Sequence, residues 1–353
     1  MSCDELVVKG YRSLRDLRVA LGPLNVVVGP NGCGKSNLYR SLYLLGRAAA
    51  GQLARALAEE GGMPSALWAG SRKKGAVRMS VAAQIPPLRY ELRLGLPIIG
   101  QSFPLDPMVK EERITIDDGG QKVDLVTRDG PAASLRDAEG NRVSSTRLRD
   151  AESVLAQLVD GHRFPTAGHV REELLGWRFY HGFRTDAAAP LRRPQVGVQT
   201  PVLSDDGADL AAALLTIEDI GDAALLRDQV ERAFPGSHLK IEAERAQFQV
   251  LLEVPGLHRP LAAAELSDGT LRYLCLLAAL LSPRPPPLLA LNEPETSLHP
   301  DLLPALAELL VAAAGRGQVV VTTHSEPLAR LVGQRGRCEV IRLEKAGGET
   351  RLV

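Results

Sequence analysis

The sequence predicts an α/β fold with a mixed or parallel core sheet, an antiparallel β lobe and a helical insertion. Three observations support this prediction. The apolar run Leu24–Val28 leads through a glycine-rich turn into an amphipathic segment. Short segments of alternating hydrophobicity, separated by Pro and Gly, follow over residues 75–127. From residue 261 onward, helical patterns alternate with apolar strand patterns, an order that is typical of parallel sheets.

The N-terminal elements are predicted from hydrophobic periodicity. Apolar and polar residues alternate around Leu6 and Val8, and again around Leu17 and Val19, which predicts short strands ahead of a buried one. After the glycine-rich turn, apolar residues recur at spacings of three and four, as on one face of a helix. That predicted face comprises Leu38, Leu42, Leu45, Ala49, Leu53 and Leu57.

The central region carries the predicted β lobe and insertion. Segments 77–85, 89–96 and 113–116 have the alternation of strands and are separated by turn residues. The charged stretch 131–145 is predicted to be a loop, and 144–175 to be helical. No heptad pattern in the sequence is long enough for a coiled-coil arm.

The C-terminal region is the clearest. Helices are predicted over 270–281 and 302–314, and buried strands over 288–291 and 318–322. The Pro-rich run 282–287 is interpreted as a rigid connector, because the elements on both sides of it belong to the core.

Composition excludes several classes of protein. Hydrophobic residues make up 45% and charged residues 24% of the 353 residues, which is typical of soluble globular proteins. Basic and acidic residues balance at 42 each, so contact with DNA would need a local basic patch. The four cysteines have no metal-ligand spacing, and no apolar stretch is long enough to span a membrane. We therefore expect a cytoplasmic protein with no membrane partner.

A phosphate-binding loop follows the strand Leu24–Val28. Residues 29–36 match the pattern GxxxxGK[ST] at every required position and lie between a strand and a helix. In such a loop backbone N–H groups surround the phosphates, while Lys35 reaches the β- and γ-phosphates and Ser36 holds Mg²⁺. The predicted nucleotide-binding residues here are Gly29, Pro30, Asn31, Gly32, Cys33, Gly34, Lys35, Ser36 and Asn37.

A second motif points to adenine nucleotides. No Asn-Lys-x-Asp sequence, which reads guanine, occurs in the chain, so ATP is the expected nucleotide. The segment Glu265-Leu-Ser-Asp-Gly-Thr resembles the LSGGQ signature of ABC ATPases and begins an apolar helix. This resemblance implies that Ser267, Asp268 and Gly269 contact the nucleotide of a facing copy, so that two ATP molecules lie between two chains. Asp268 would repel a phosphate there unless it points away or pairs with a cation.

Polar residues at the ends of two buried strands complete the motif series. Asn292 and Glu293 end the first strand at the Walker B position, and Glu293 can orient and deprotonate the attacking water. Segment 296–300, with Ser297, resembles a D-loop, and the second strand leads to His324, which matches the switch histidine. Glu293 and His324 are therefore the predicted catalytic residues.

Asn292 departs from the motif. It occupies the place of the usual Walker B aspartate and could contact Mg²⁺ only through a water molecule. An asparagine brings no negative charge, so metal affinity or turnover is expected to be reduced. ATP hydrolysis is accordingly expected to be slow.

The order of these motifs, with segments 177–186, 201–210, 234–236 and 265–300, resembles stand-alone bacterial RecF-like ATPases with an AAA-type ATPase core. The resemblance implies a single ABC-type head over 1–353. Within it, 1–62 holds the P-loop, 63–260 the β lobe and helical insertion, and 261–353 the signature, Walker B motif and switch histidine. Because the sequence ends soon after His324, a fused nuclease of the OLD type is not expected.

The resemblance also implies an activity. RecF, RecN and SMC heads dimerise on ATP around DNA and hydrolyse ATP weakly, which implies a homodimeric clamp on double-stranded DNA in repair or recombination. The alternative is a regulatory or defence-associated ATPase that acts on a protein effector. Two basic clusters, 72–74 with Arg78 and Arg192 with Arg193, are candidate DNA contacts or merely solvated charges.

Two assignments stay open. Arg12 lies in a segment that resembles the start of SMC-type heads, and it either contacts the nucleotide or is a surface arginine. Neither Gln52 nor Gln84 can be assigned as the Q-loop glutamine.

Overall fold

The computed structural model describes residues 3–70, 78–98, 100, 102–158 and 160–353. These residues form two compact units, each assembled from separate parts of the chain. The first unit consists of Met1–Gly22, Val27–Trp177 and Ile341–Val353. The second consists of Pro23–Val26 and Arg178–Val340.

The first unit is built on an antiparallel sheet. The chain begins with β1 (Glu5–Tyr11), β2 (Leu14–Ala20) and β3 (Leu24–Val28), and β3 leads through the glycine-rich turn into α1 (Lys35–Ala49). Eight strands then form one sheet in the order β2-β1-β4-β5-β6-β7-β8-β9. The added strands are β4 (Arg78–Ile85), β5 (Leu88–Gly95), β6 (Met108–Asp118), β7 (Gln121–Asp129), β8 (Ala132–Arg136) and β9 (Arg142–Ser145).

This sheet confirms the predicted β lobe and corrects its limit. The stretch 131–145 was predicted to be a loop, but β8 and β9 form an antiparallel hairpin there. The error has a physical cause: β8 buries only Ala133 and Leu135, while Ala132 is exposed and Ser134 and Arg136 are half-buried, so its apolar alternation is short and weak. The predicted strand start at residue 77 and the basic cluster 72–74 lie outside the described residues.

The helices of the first unit are shorter than predicted. The helical face through residue 57 is interrupted at Gly51, which has a φ of 73° and ends the first helix. Helices α2 (Leu53–Ala58) and α3 (Met63–Ala66) follow. Among its described residues, the predicted helical stretch 144–175 begins in β9 and its helices are α4 (Val154–Gln157) and α5 (Pro165–Gly176). Pro165 starts the second of these helices.

The second unit contains the predicted parallel strands. In chain order its elements are β10 (Arg178–Tyr180), β11 (Gln195–Val196), α6 (Leu210–Ile220), α7 (Ala223–Ala233), β12 (His238–Glu244), β13 (Gln247–Glu253), β14 (Leu261–Ala262), α8 (Asp268–Leu280), β15 (Leu288–Asn292), α9 (Leu303–Ala314), β16 (Gln318–Thr323) and α10 (Glu326–Arg335). Strand β15 pairs in parallel with β10 and with β16. The backbone N–H of Val319 in β16 donates to the carbonyl of Pro23, at the start of β3, over 2.8 Å. The parallel sheet predicted from residue 261 onward is thus confirmed.

A C-terminal hairpin was not predicted. Strands β17 (Glu339–Ala346) and β18 (Glu349–Leu352) pair antiparallel, and their paired residues belong to the first unit. Leu352 is the one apolar residue of β18, and its three other residues are charged or polar. The sequence of β18 therefore lacks the apolar alternation of a strand. The paired residues of the hairpin therefore belong to the unit that contains the P-loop.

The observed units and the predicted segments divide the chain at different points. Residues 178–260, predicted together with the β lobe, lie in the second unit. The functional division into 1–62, 63–260 and 261–353 stays a prediction. Within the part of the chain that the structure describes, no helix combines the length and apolarity required to cross a membrane.

Candidate nucleotide site

The phosphate-binding loop lies in the first unit, where packing requires two of its glycines. A Cβ at Gly29 would lie 2.2 Å from the carbonyl oxygen of Leu343 in β17. Gly34 has a φ of 111°, and a Cβ there would lie 2.2 Å from Oγ1 of Thr350 in β18. A side chain at Gly29 would require the backbone of β17 to move, and one at Gly34 would displace the Thr350 side chain and strain the backbone. A Cβ at Gly32 would meet nothing within 4 Å, so that part of the loop is open.

The lysine of the loop is hydrogen-bonded to the first two residues of the loop. Lys35 is buried, and its Nζ donates to the carbonyl of Gly29 over 2.7 Å and to that of Pro30 over 3.2 Å. Ser36 follows in the first turn of α1 with its side chain exposed, and that turn contains no acidic residue. A helix N-terminus with a lysine beside it attracts phosphate, which fits the predicted nucleotide and Mg²⁺ ligands.

Arg12 is tied to a buried carboxylate. It has a φ of 47°, and its Nε lies 2.8 Å from Oε2 of Glu60, whose side chain is fully buried. The hydroxyl of Tyr11 also donates to Glu60, and Arg40 lies 3.3 Å from it. The pair with Glu60 gives Arg12 a structural partner, and its contact with nucleotide stays a prediction.

Glu293 lies in the second unit with an unusual backbone. Its φ of 48° is in the left-handed region, where a residue with a side chain costs about 1 kcal/mol or more. Its N–H donates to the carbonyl of Thr322 in β16 over 2.8 Å, and its carbonyl accepts from Nη2 of Arg272 in α8 over 3.2 Å. Burial lowers the pKa of the Arg272 guanidinium below its ordinary value. Two neighbouring elements therefore fix Glu293 in a strained conformation at the end of β15.

His324 lies between two carboxylates. Its Nδ1 is 3.6 Å from Oε1 of Glu293 and 3.5 Å from Oε1 of Glu295. The Glu295 carboxylate is buried and accepts from Oγ1 of Thr323 over 2.5 Å and from the N–H of His324 over 3.3 Å. The Glu293 side chain is 32% exposed, so it can meet a water molecule while Glu295 holds the histidine segment.

Sequence reasoning gives no role to Glu295, two residues after Glu293. Its burial and its bond to the end of β16 appear only in the structure, because nothing in the local pattern separates it from Glu293 two residues earlier. One signal in the sequence could have identified Glu295: it is a second carboxylate within a few residues of the end of a buried strand.

Asn292 makes a bond to the neighbouring strand. Its Oδ1 accepts from Oγ1 of Thr322 over 2.9 Å, which leaves one further lone pair on that oxygen. Among the described residues there is no group of three or more His, Cys, Asp or Glu side chains that could hold a metal ion. The metal roles of Ser36 and Asn292 stay predictions.

The signature turn is clamped by an arginine. Ser267 caps α8, its Oγ accepting from the N–H of Thr270 over 3.1 Å. Nη2 of Arg192 donates to Oδ1 of Asp268 over 2.6 Å, and Nη1 donates to the carbonyl of Leu266 over 2.8 Å. The Arg192 side chain is only 11% exposed. Asp268 thus pairs with a cation, one of the two arrangements that the sequence had left open, and Arg192 is committed to this turn.

The D-loop packs directly on the signature turn. Ser297 has a φ of 66°, and a Cβ at Gly269 would lie 2.7 Å from its carbonyl oxygen. Gly269 is therefore required by the close approach of the D-loop backbone. The second unit brings together Ser267, Asp268, Gly269, Asn292, Glu293, Ser297 and His324, while Arg12 and residues 29–37 belong to the first.

A protein-family model described as "AAA domain, putative AbiEii toxin, Type IV TA system" matches residues 24–330, from the start of β3 into α10. The chain belongs to this AAA-domain family. The family places it among the AAA-type ATPases.

Solved structures agree on the fold of this AAA-domain chain. An SMC head bound to the C-terminal winged-helix domain of ScpA superposes with a TM-score of 0.57 at 13% identity, covering 100% of this chain and 98% of that one. The SMC head of Pyrococcus furiosus bound to the ScpA C-terminal domain gives 0.55 at 14% identity, covering 100% and 96%. The SMC head of Pyrococcus yayanosii gives 0.53 at 11%, again covering 100% and 96%. The predicted ABC-type head fold is confirmed.

One curated relative shares a short segment with the chain. The OLD nuclease of Thermus scotoductus is 48% identical over 40 residues, which are 11% of this chain and 8% of the nuclease. The chain thus matches less than a tenth of that protein's length. The expectation that no nuclease is fused to this head stays a prediction.

Proposed function

We propose that this AAA-domain chain binds ATP at its P-loop and hydrolyses it slowly as a homodimer of RecF-like heads. The observation that carries the proposal is Glu293, a partly exposed carboxylate held in a left-handed conformation beside His324. Strained residues of this kind concentrate at functional sites, because the surrounding structure must supply the energy that keeps them there.

ATP binding falls to the first unit. The backbone N–H groups of the loop and the N-terminus of α1 attract the phosphates, and Lys35 exchanges one of its two carbonyl partners for a phosphate oxygen. Ser36, and Asn292 through a water molecule, would hold Mg²⁺, which neutralises charge on the phosphates when it is bound.

Hydrolysis falls to Glu293 and His324. Glu293 accepts a proton from the attacking water, and His324 donates a hydrogen bond to the γ-phosphate and responds to its loss. Turnover is slow because Asn292 carries no charge and its side-chain oxygen already accepts a bond from Thr322.

Dimerisation follows from the signature turn. Ser267 and the N–H of Gly269 contact the ATP of the facing copy, and Arg192 cancels the charge of Asp268 that would otherwise repel it. Each copy thereby completes the site of the other in a two-fold arrangement.

The proposed cellular role is a cytoplasmic clamp on double-stranded DNA in repair or recombination. It is supported by the SMC heads and the OLD nuclease among the similar proteins. The second candidate is control of a protein effector, and one observation favours it. Arg192, half of a basic cluster considered for DNA, is occupied by the signature turn.

The deciding experiment measures ATPase rate with Mg²⁺, with and without duplex DNA, at low and physiological salt. We expect slow hydrolysis that Lys35→Ala abolishes together with ATP binding, and that Glu293→Gln abolishes while ATP binding survives. An ATPase rate that DNA raises at low salt and raises less at physiological salt supports the clamp, because phosphate contacts release counterions. An ATPase rate that is the same with and without DNA supports control of a protein effector.

Light scattering of Glu293→Gln tests the dimer. With saturating ATP this variant should be a dimer, and without nucleotide a smaller species. A monomer at saturating ATP contradicts the two-fold arrangement.

A further inference from the structure

A chain of four polar groups joins the two sides of the P-loop inside the first unit. Nδ2 of Asn37, in the first turn of α1, lies 2.8 Å from Oγ of Ser13. Oγ of Ser13 lies 2.7 Å from Oγ1 of Thr350 in β18. Oγ1 of Thr350 lies 2.6 Å from the carbonyl oxygen of Cys33. One connected network therefore holds the residues on both sides of 34–36, where the phosphate-binding loop passes into α1.

The direction of every bond in this network is fixed. The carbonyl of Cys33 can only accept, so the single hydroxyl proton of Thr350 is directed to it. Thr350 must then accept from Ser13, whose own proton is thereby used. Ser13 in turn accepts from the amide N–H of Asn37. Each hydroxyl donates once and accepts once, so the network has a single arrangement of protons.

Thr350 is also held in place by its own backbone and by packing. It is 1% exposed, and its N–H donates to the carbonyl of Ser13 over 2.9 Å. Its side chain fills the space beside Gly34 that a Cβ would otherwise occupy. Cys33, whose carbonyl it binds, is also 1% exposed.

We propose that Thr350 and Ser13 are positioning residues that hold the P-loop in its phosphate-binding conformation. The C-terminal strand therefore contributes to nucleotide affinity without touching nucleotide. Loss of the Thr350 hydroxyl leaves the buried carbonyl of Cys33 without its donor and lets the turn before Lys35 relax. The proposal rests on the ATP binding proposed above, and it makes a second prediction that is independent of ATP.

The test compares Thr350→Val, which keeps the shape and removes the hydroxyl, with Thr350→Ser, which keeps the hydroxyl. The matched control is Ser41→Ala, which removes a different buried hydroxyl. The Ser41 hydroxyl lies in α1 and donates to the carbonyl of Leu38 over 2.7 Å. The first measurement, without nucleotide, is the alkylation rate of Cys33 relative to Cys275, resolved by mass spectrometry. Cys275 is buried, and burial raises its pKa well above the ordinary range. The second measurement is the Kd for Mg–ATP.

We expect Thr350→Val to raise the Cys33-to-Cys275 labelling ratio several-fold and to weaken ATP binding about tenfold. Thr350→Ser and Ser41→Ala should leave both values near those of the wild type. General destabilisation would label both cysteines together and leave their ratio unchanged. An unchanged ratio in Thr350→Val overturns the positioning role, whatever the ATP result. A wild-type chain that binds no ATP overturns the proposed function instead, and the labelling ratio still decides the role of Thr350.

Discussion

At the scale of single residues, backbone conformation marks the candidate site. Among the described residues, five with side chains have positive φ, and Arg12, Glu293 and Ser297 are three of them. All three had been selected from motif position alone. Sequence could predict that these positions are special, but it could not predict the strain, because left-handed backbone is set by neighbours such as Arg272 and Thr322.

Replacement of Glu293 by glycine should stabilise the fold and abolish ATP hydrolysis. Glycine adopts a φ of 48° without steric cost, so we expect the free energy of unfolding to rise by about 1 kcal/mol. Chemical denaturation measures the change. Glu326→Gly is the control, because that glutamate starts α10 in ordinary helical geometry and should lose stability on the same substitution. A loss of stability in Glu293→Gly would show that the position is not strained.

At the scale of elements, the sequence predicted what periodicity and motif order determine. Helices α8 and α9 and strands β15 and β16 were found within a few residues of their predicted limits, because their apolar patterns are strong. The break at Gly51 and the hairpins β8–β9 and β17–β18 were missed. In the two hairpins, polar and charged residues interrupt short apolar patterns. Pairing with a neighbouring strand, together with burial of residues such as Leu135 and Leu343, determines their structure.

The signature turn should depend on its arginine clamp. Arg192→Met removes the cation beside Asp268 and the donors to three carbonyls of the turn, those of Ala263, Ala264 and Leu266. In a Glu293→Gln background we expect the ATP concentration needed for dimerisation to rise about tenfold, measured by light scattering.

The matched variant separates charge from structure. Addition of Asp268→Asn to Arg192→Met should restore part of the dimerisation, since the uncompensated negative charge is gone. If Arg192→Met dimerises like the parent protein, the clamp does not act on the facing ATP.

At the scale of the whole molecule, charge balance limits the interaction with DNA. The 42 basic and 42 acidic residues leave no net attraction to phosphate, and Arg192 is already engaged. If the chain is a clamp, we expect few phosphate contacts, with a slope of log K against log salt no steeper than about −3. Binding titrations between 50 and 200 mM salt, roughly the range over which such slopes are measured, check this value. A slope near −10 would require a basic surface that the balance of charges does not suggest.

The bond between Thr350 and Cys33 spans 317 residues of chain, and this has a consequence for the timing of synthesis. At about 5–20 residues per second, a ribosome needs roughly 15 to 60 s after making the P-loop to make its support in β18. During that interval the nascent chain carries every residue of the phosphate-binding motif but not the strand that shapes it. The phosphate-binding loop is therefore expected to reach its full affinity for nucleotide only after β18 has been made and has paired with it.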